Sequence, residues 1–378
     1  MLALLAVAGT AVLHGQTAGA AAPDLPPDIV AMLTNPAAWS GSVTLHGGAG
    51  YKDNLLLSRY APEGSAFARA GVEAFLWRLP EGRTEAYAFL NAEDTRYRGG
   101  LEVDHETEAV AQAEWRYRIG EKLRFSLMGQ GYWLDEVFDV SDTDILRTVA
   151  LLQVTGVAAG PALRWDFAPQ GWLETKGTAK RETFRDGSNN NHLYEGEVRL
   201  GWRPADRLEA SLGEIWRERS FDHRQQYSAG GRPRPGTRLH IGEEETELSL
   251  TAKPGRAKHW KLVTRAGRLT YADNGSGYFN YREHKLAETA EWTAGDWLVR
   301  LEASARRLVY EVQTVGLGAA PPARLKESYA TELRVERKLS ARWTAYAEYT
   351  WERSRSNYTL AAYLMNEGLL GVQWSWEK

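Results

Sequence analysis

The chemistry this 378-residue chain has to offer lies in arginines and glutamates set at alternate positions along polar runs. Arg69 and Glu73, Glu85, Glu114 and Arg116, Arg124, Arg164, Glu197 and Arg199, Lys261 and Arg265, Arg300, Glu302 and Arg306, Glu332 and Arg334, and Glu348 carry this pattern. Side chains that alternate in sequence share one face of a β-strand, so cations and carboxylates would stand there in mixed ladders. Such ladders can create a transverse field that orients polar solutes and selects ions. They can equally form cross-strand ion pairs that stiffen a wall. The residue types alone leave both readings open.

Two other clusters stand out. Asp135, Glu136, Asp139, Asp142 and Asp144 fall in one short segment. Oxygen-rich clusters can hold Ca²⁺, but this spacing matches no EF-hand loop, and a solvated acidic loop is expected. His223, Arg224, Arg232, Arg234, Arg238 and His240 lie among glycines and prolines in the longest connection. That segment reads as a solvated loop able to attract anions.

Signals for catalysis are poor. The eight histidines form no H-E-x-x-H spacing, and no G-x-S-x-G accompanies them. His46 shares a side with Ser42 and Thr44 and reads as a hydrogen-bonded histidine rather than a member of a Ser-His site. Gly47 to Gly50 lies inside a strand pattern and opens no helix, so it is no phosphate loop. Zero cysteines exclude sulfur redox chemistry and thiolate zinc sites. With 46 Lys+Arg against 49 Asp+Glu, no nucleic-acid partner is indicated. No enzyme activity, metal site or cofactor is expected.

The elements that must position these ladders are strands with two chemically distinct faces. Trp39, Gly41, Val43, Leu45, Gly47, Ala49 and Tyr51 alternate with Ser40, Ser42, Thr44 and His46. Ala109, Ala111, Ala113, Trp115 and Tyr117 alternate with Glu108, Gln112, Glu114, Arg116 and Arg118, and Val110 is the one apolar residue on the second face. The runs near 209–219 and 283–293 mix the two classes. Short polar or Pro/Gly-bearing turns follow one another at Gly82, Gly120, Pro169, Pro204, Pro254, Gly295 and Ser340, with two strand-like runs between successive turns. The count is about sixteen strands. An even number with both ends on the side of the short turns suits a single antiparallel up-and-down transmembrane β-barrel, because closure removes the unpaired edges that lipid cannot satisfy. The short turns would be periplasmic. The connections near 53–63, 94–106, 135–147, 184–192, 220–242, 272–280, 311–326 and 353–363 would be outer loops.

Tryptophan placement separates a membrane barrel from a soluble all-β protein. Trp77, Trp115, Trp165, Trp172, Trp202, Trp260, Trp292, Trp297 and Trp343 lie near short turns, and Trp39, Trp374 and Trp376 belong to the terminal strands at the same level. Trp133, Trp216 and Trp351 lie about one membrane crossing further on. Two aromatic bands at two water–lipid interfaces follow, with outer-membrane lipid as partner. Sixteen strands enclose a lumen wide enough for water. At the N-terminus, Leu2 to Leu13 and the small residues Ala18 to Ala22 read as a signal peptide over 1–22. A short periplasmic segment over 23–38 and the barrel over 39–378 would follow.

Two stretches carry a family resemblance. Gly50-Tyr51-Lys52-Asp53-Asn54, and Ser356-Asn357 with Tyr363 and Gly371-Val372-Gln373-Trp374-Ser375-Trp376, resemble the β-barrel porin family of bacterial outer membranes. The resemblance implies an outer-membrane channel for passive diffusion of small hydrophilic solutes or ions, without a cofactor. It also implies a C-terminal strand read by the barrel-assembly machinery, and a homo-oligomer. Two features depart from the pattern. Glu377 and Lys378 follow Trp376, where such barrels end on an aromatic residue, and the third outer loop is short, which counts against the inward-folding eyelet of general porins. An export barrel for polysaccharide or lipoprotein would need a sizeable periplasmic domain where only Pro23 to Ala38 is available. A closed receptor or structural barrel is the remaining alternative.

Overall fold

A computed structural model of the protein describes residues 39–99, 102–142, 148–255 and 259–377, so the expected signal peptide and segment 23–38 lie outside the described residues, as does Asp144. The strands are β1 (Trp39–Lys52), β2 (Ser65–Glu81), β3 (Thr84–Arg98), β4 (His105–Ile119), β5 (Leu123–Asp139), β6 (Val149–Trp165), β7 (Gly171–Phe184) and β8 (Asn191–Ala205), then β9 (Leu208–Phe221), β10 (His240–Ala252), β11 (Trp260–Asp273), β12 (Tyr281–Ala294), β13 (Trp297–Thr314), β14 (Ala323–Lys338), β15 (Trp343–Ser356) and β16 (Tyr363–Glu377). Each pairs antiparallel with its sequence neighbours, and β1 pairs with β16 to close the barrel. The sixteen strands and the rim of short turns are those the alternation predicts.

The outward face is apolar and open. Leu45, Val157, Leu200, Leu286 and Leu370 are 49, 57, 52, 54 and 70 % exposed. In water a continuous belt of this kind would drive aggregation. A bilayer core about 25 Å thick is the solvent that suits it. The protein is an outer-membrane barrel.

The closure seam explains two glycines of the first strand. A Cβ on Gly50 would stand 2.2 Å from the Gly368 carbonyl oxygen and 2.5 Å from the Phe67 ring, and one on Gly48 would stand 2.8 Å from Leu369. Only a residue without a side chain lets Phe67 and Leu369 lie against the β1–β16 ladder.

Two tryptophans leave the expected bands. Trp77 pairs with the inward Tyr87 and donates from Nε1 to Glu85 at 3.2 Å. Trp172 is 7 % exposed, with the Arg164 guanidinium 4.1 Å from its ring centroid. Distance from a turn sets the height of a ring, whereas strand parity sets its face, and both residues fall on the polar parity. The mixed runs also resolve. Glu214 and Glu288 face outward, each accepting a hydrogen bond from a threonine on the neighbouring strand, Thr246 at 3.0 Å and Thr264 at 2.5 Å.

Candidate functional site in the lumen

The inward face carries the charge. Parity and register place Arg69, Glu73, Glu85, Glu114, Arg116, Arg124, Arg164, Glu197, Arg199, Lys261, Arg265, Arg300, Glu302, Arg306, Glu332, Arg334 and Glu348 on it. Many of these are tied into ion pairs. Arg69 reaches Glu93 at 3.1 Å, Glu348 at 3.3 Å and Glu367 at 2.5 Å. His46 is bonded to the same Glu93 at 3.2 Å, which satisfies it as a lumen histidine. Arg334 joins the network through Glu336 at 2.7 Å and Glu348 at 3.0 Å.

Other pairs are more local. Arg116 meets Glu114 at 2.6 Å, Arg164 meets Asp166 at 3.1 Å, and Arg300 meets Glu302 at 2.7 Å. Arg199 lies between Glu197 at 2.7 Å and Glu247 at 3.0 Å. Arg124 and Arg265 have no ion pair among the described residues, which leaves their charge open to a passing ion.

Two further networks lie outside the sequence-derived set. Arg217 sits between Glu195 at 2.7 Å and Glu245 at 2.9 Å, and Lys285 also contacts Glu245. Glu182, with 1 % exposure of its side chain, is held by Arg219 at 2.7 Å, Lys180 at 2.9 Å and the Tyr132 hydroxyl. Their signal was present as inward parity. It was not separable from that of any other charged residue on the same face.

The third outer loop overturns two expectations. It was expected to be a solvated acidic loop, too short to fold inward, yet Ser141 and Asp142 are 1 and 2 % exposed. Lys326 on β14, with no exposure, places Nζ 2.6 Å from the Asp142 carboxylate, 2.8 Å from Asp139 and 2.9 Å from the Ser141 hydroxyl. Arg324 donates to the Ser141 carbonyl at 2.7 Å. Strands β5 and β14 stand on opposite walls in the barrel order, so residues 139–142 reach across the lumen. Strand β5 parts from β4 after Asp135 but stays paired with β6 as far as Asp139, so the end of this hairpin is held by one wall neighbour fewer where it turns inward. The driving force is electrostatic: the buried Lys326 ammonium needs counter-charge, which Asp139 and Asp142 supply, while the Arg324 guanidinium is satisfied by the Ser141 carbonyl and the Gln313 side-chain oxygen. Burial by itself would push the Asp142 carboxyl up, but the Lys326 ammonium and Arg306 guanidinium outweigh it and hold the group at about 2. Asp135, 6 % exposed, is likewise bonded, to Gln153 at 2.8 Å.

Other loops fill the same upper half. Leu55 packs with Phe67, Tyr97, Val103, Tyr346 and Leu369. The connection after β9 turns Leu239 and Tyr227 onto an inner cluster that includes Phe221, Tyr271, Phe279, Tyr281 and Tyr310. Arg224 lies over Phe221 and Phe279, with its guanidinium 5.2 and 4.9 Å from the ring centroids. Arg232, Arg234 and Arg238 of the same loop face solvent. The lumen is therefore charged along its height and narrowed by loops and rings toward the outer rim.

No protein-family model matches the chain, and no curated protein matches it. Among solved structures, OccAB4 of Acinetobacter baumannii aligns at 7 % identity with a TM-score of 0.49, over 91 % of this chain and 100 % of that one. The outer membrane protein opdK from Pseudomonas aeruginosa aligns at 9 % identity and a TM-score of 0.44, over 90 % and 99 % of the two chains. Outer-membrane expressed OmpT of Vibrio cholerae aligns at 12 % identity and 0.45, again over 90 % and 99 %. The barrel described above stands on the chain's own strand pairing.

Proposed function

We propose that the protein is an outer-membrane channel through which small hydrophilic solutes or ions diffuse passively. The observation that carries this reading is the bridge across the lumen from Asp142, just beyond β5, to Lys326 on β14. A loop pinned across a water-wide barrel divides a tube into a selective passage, and the mixed ladders of Arg69, Arg124, Arg199, Arg265, Arg306, Glu332 and Glu348 supply the field along it. The chain's own residues orient and select, and the reading assigns none of them a catalytic role. In this reading the aromatic end of β16 is what the barrel-assembly machinery engages, and copies of the barrel associate in the membrane.

One observation favours a second reading. Lys326 has no exposure, and loop residues Leu55, Asp142 and Leu239 are all buried in the upper lumen, as in a receptor or structural barrel held shut. Single-channel conductance of the folded chain in a planar bilayer, with a salt gradient, decides between the two. Stable steps with a defined reversal potential support the channel. A folded but silent barrel supports the closed form and refutes passive diffusion.

A further inference from the structure

On the outer face of β11 to β13 two arginines stand on either side of a histidine. Arg268 is the register partner of His284, and His284 is the partner of Arg307. All three share the outward parity of Trp260, Leu286 and Trp297. Arg282, the next outward position above His284, is 60 % exposed at its side chain and pairs with Glu311 at 3.1 Å. Arg307 is 61 % exposed, and Glu327 is 3.8 Å away. Arg268 and His284 have no ion pair among the described residues.

Below the row the outward neighbours are Ala266, Leu286 and Ala305, which offer no counter-charge. Beside the row, Glu244 on β10 stands opposite Thr270 and so diagonal to Arg268, and Glu327 is the register partner of Arg307.

The height of the row says what meets it. Arg268 stands eight residues beyond Trp260, His284 eight before Trp292, and Arg307 ten beyond Trp297. At roughly 3.3 Å per residue and a tilt near 40°, these side chains lie about 20 to 25 Å above the lower aromatic band. That is one apolar thickness, so the row meets the headgroup boundary of the outer leaflet. Arg353, the next outward position above the upper-band Trp351, adds a cation at the same boundary. The group that neutralises guanidinium forks at a membrane surface is phosphate, which they take through paired charge-assisted hydrogen bonds.

We propose that Arg268, His284 and Arg307 form a binding site for the headgroup phosphate of an outer-leaflet lipid. The site depends on the barrel's membrane placement and not on what passes through the lumen.

The test uses the full chain folded in dodecyl maltoside micelles, which carry no phosphate. Diphosphorylated lipid A, its dephosphorylated form and inorganic phosphate are titrated separately, with native mass spectrometry reading bound lipid and thermal unfolding reading stabilisation. Diphosphorylated lipid A is expected to remain bound and raise the unfolding temperature, while the other two do neither. In the double variant Arg268→Gln/Arg307→Gln, retention is expected to fall roughly tenfold. Arg232→Gln/Arg234→Gln in the solvated loop serves as a charge-matched control that keeps binding, and heat-modifiable migration confirms that each variant is folded. Equal retention by the Arg268/Arg307 variant, equal binding of dephosphorylated lipid, or the same stabilisation by inorganic phosphate alone would overturn the site.

Discussion

Lys326 Nζ lies 2.6 Å from the Asp142 carboxylate although the two residues belong to opposite walls of the barrel, 184 positions apart. The pair turns a tube into a divided passage. It also concentrates several consequences in one place.

Removing the cation should release the loop. Lys326→Met leaves Asp139 and Asp142 without their ammonium, and breaking one side of a buried pair costs about 3–5 kcal/mol. The strand ladders do not depend on that pair, so the barrel is expected to fold with unchanged strand content and a larger single-channel conductance. Circular dichroism and planar-bilayer recordings check both halves, and an unchanged conductance would remove the loop from the passage.

Acid should act late. The Asp142 carboxyl in the folded protein is held at about 2, below the ordinary carboxylate value. A depressed carboxyl contributes stability that is fully present above its unfolded pKa of roughly 3.9 and disappears as pH falls through the folded value. Conductance is therefore expected to hold from neutral pH down to about 4 and to rise only as pH approaches 2. A rise already complete near pH 5 would show that Asp142 does not hold the loop.

Lumen arginines should set ion preference. Arg306 faces the Asp142 bridge and Arg300 is paired with Glu302. Replacing either with alanine removes a cation from the inner face, so the reversal potential in a salt gradient is expected to move toward cation preference. Arg306→Ala should move it further, because the Arg300 charge is already balanced by its neighbour. Identical reversal potentials in both variants and the parent would place these residues outside the ion path.

The outward carboxylate at mid-depth should be dispensable. Glu288 lies two outward positions above Trp292 and faces the apolar belt, with Thr264 as its hydrogen-bond partner. A charged group there costs less than the ~2–4 kcal/mol of a basic residue at the midplane, so Glu288→Leu is expected to stabilise the barrel by about 1 kcal/mol. Urea unfolding in lipid vesicles measures it, and a destabilised variant would mean that the Thr264 hydrogen bond outweighs the cost of a carboxylate in the apolar belt.

The strand pattern was legible along most of the chain because polarity alternation is local. Each of Trp39, Val43 and Leu45 reports its face through its immediate neighbours, whatever lies across the sheet. Glu214 and Glu288 blurred the pattern because each is accommodated by a threonine on another strand. Trp77 and Trp172 were misplaced for a related reason: nearness to a turn says nothing about which face a ring takes.

What the sequence by itself determined is the closed sixteen-strand barrel, its two rims and, in the cleanly alternating runs, the side of the wall on which the charges stand. Period-two alternation and turn spacing are properties of consecutive residues, and lipid admits one closed solution for them. What only the tertiary structure decided is which charges meet. Asp142 reads as solvated until Lys326 and Arg324 appear beside it, and Arg69 reads as one lumen charge among many until Glu93, Glu348 and Glu367 surround it. Those meetings depend on barrel closure, which brings distant strands to one lumen. In that shielded interior a buried cation without a carboxylate is costly enough to pull even a short loop across.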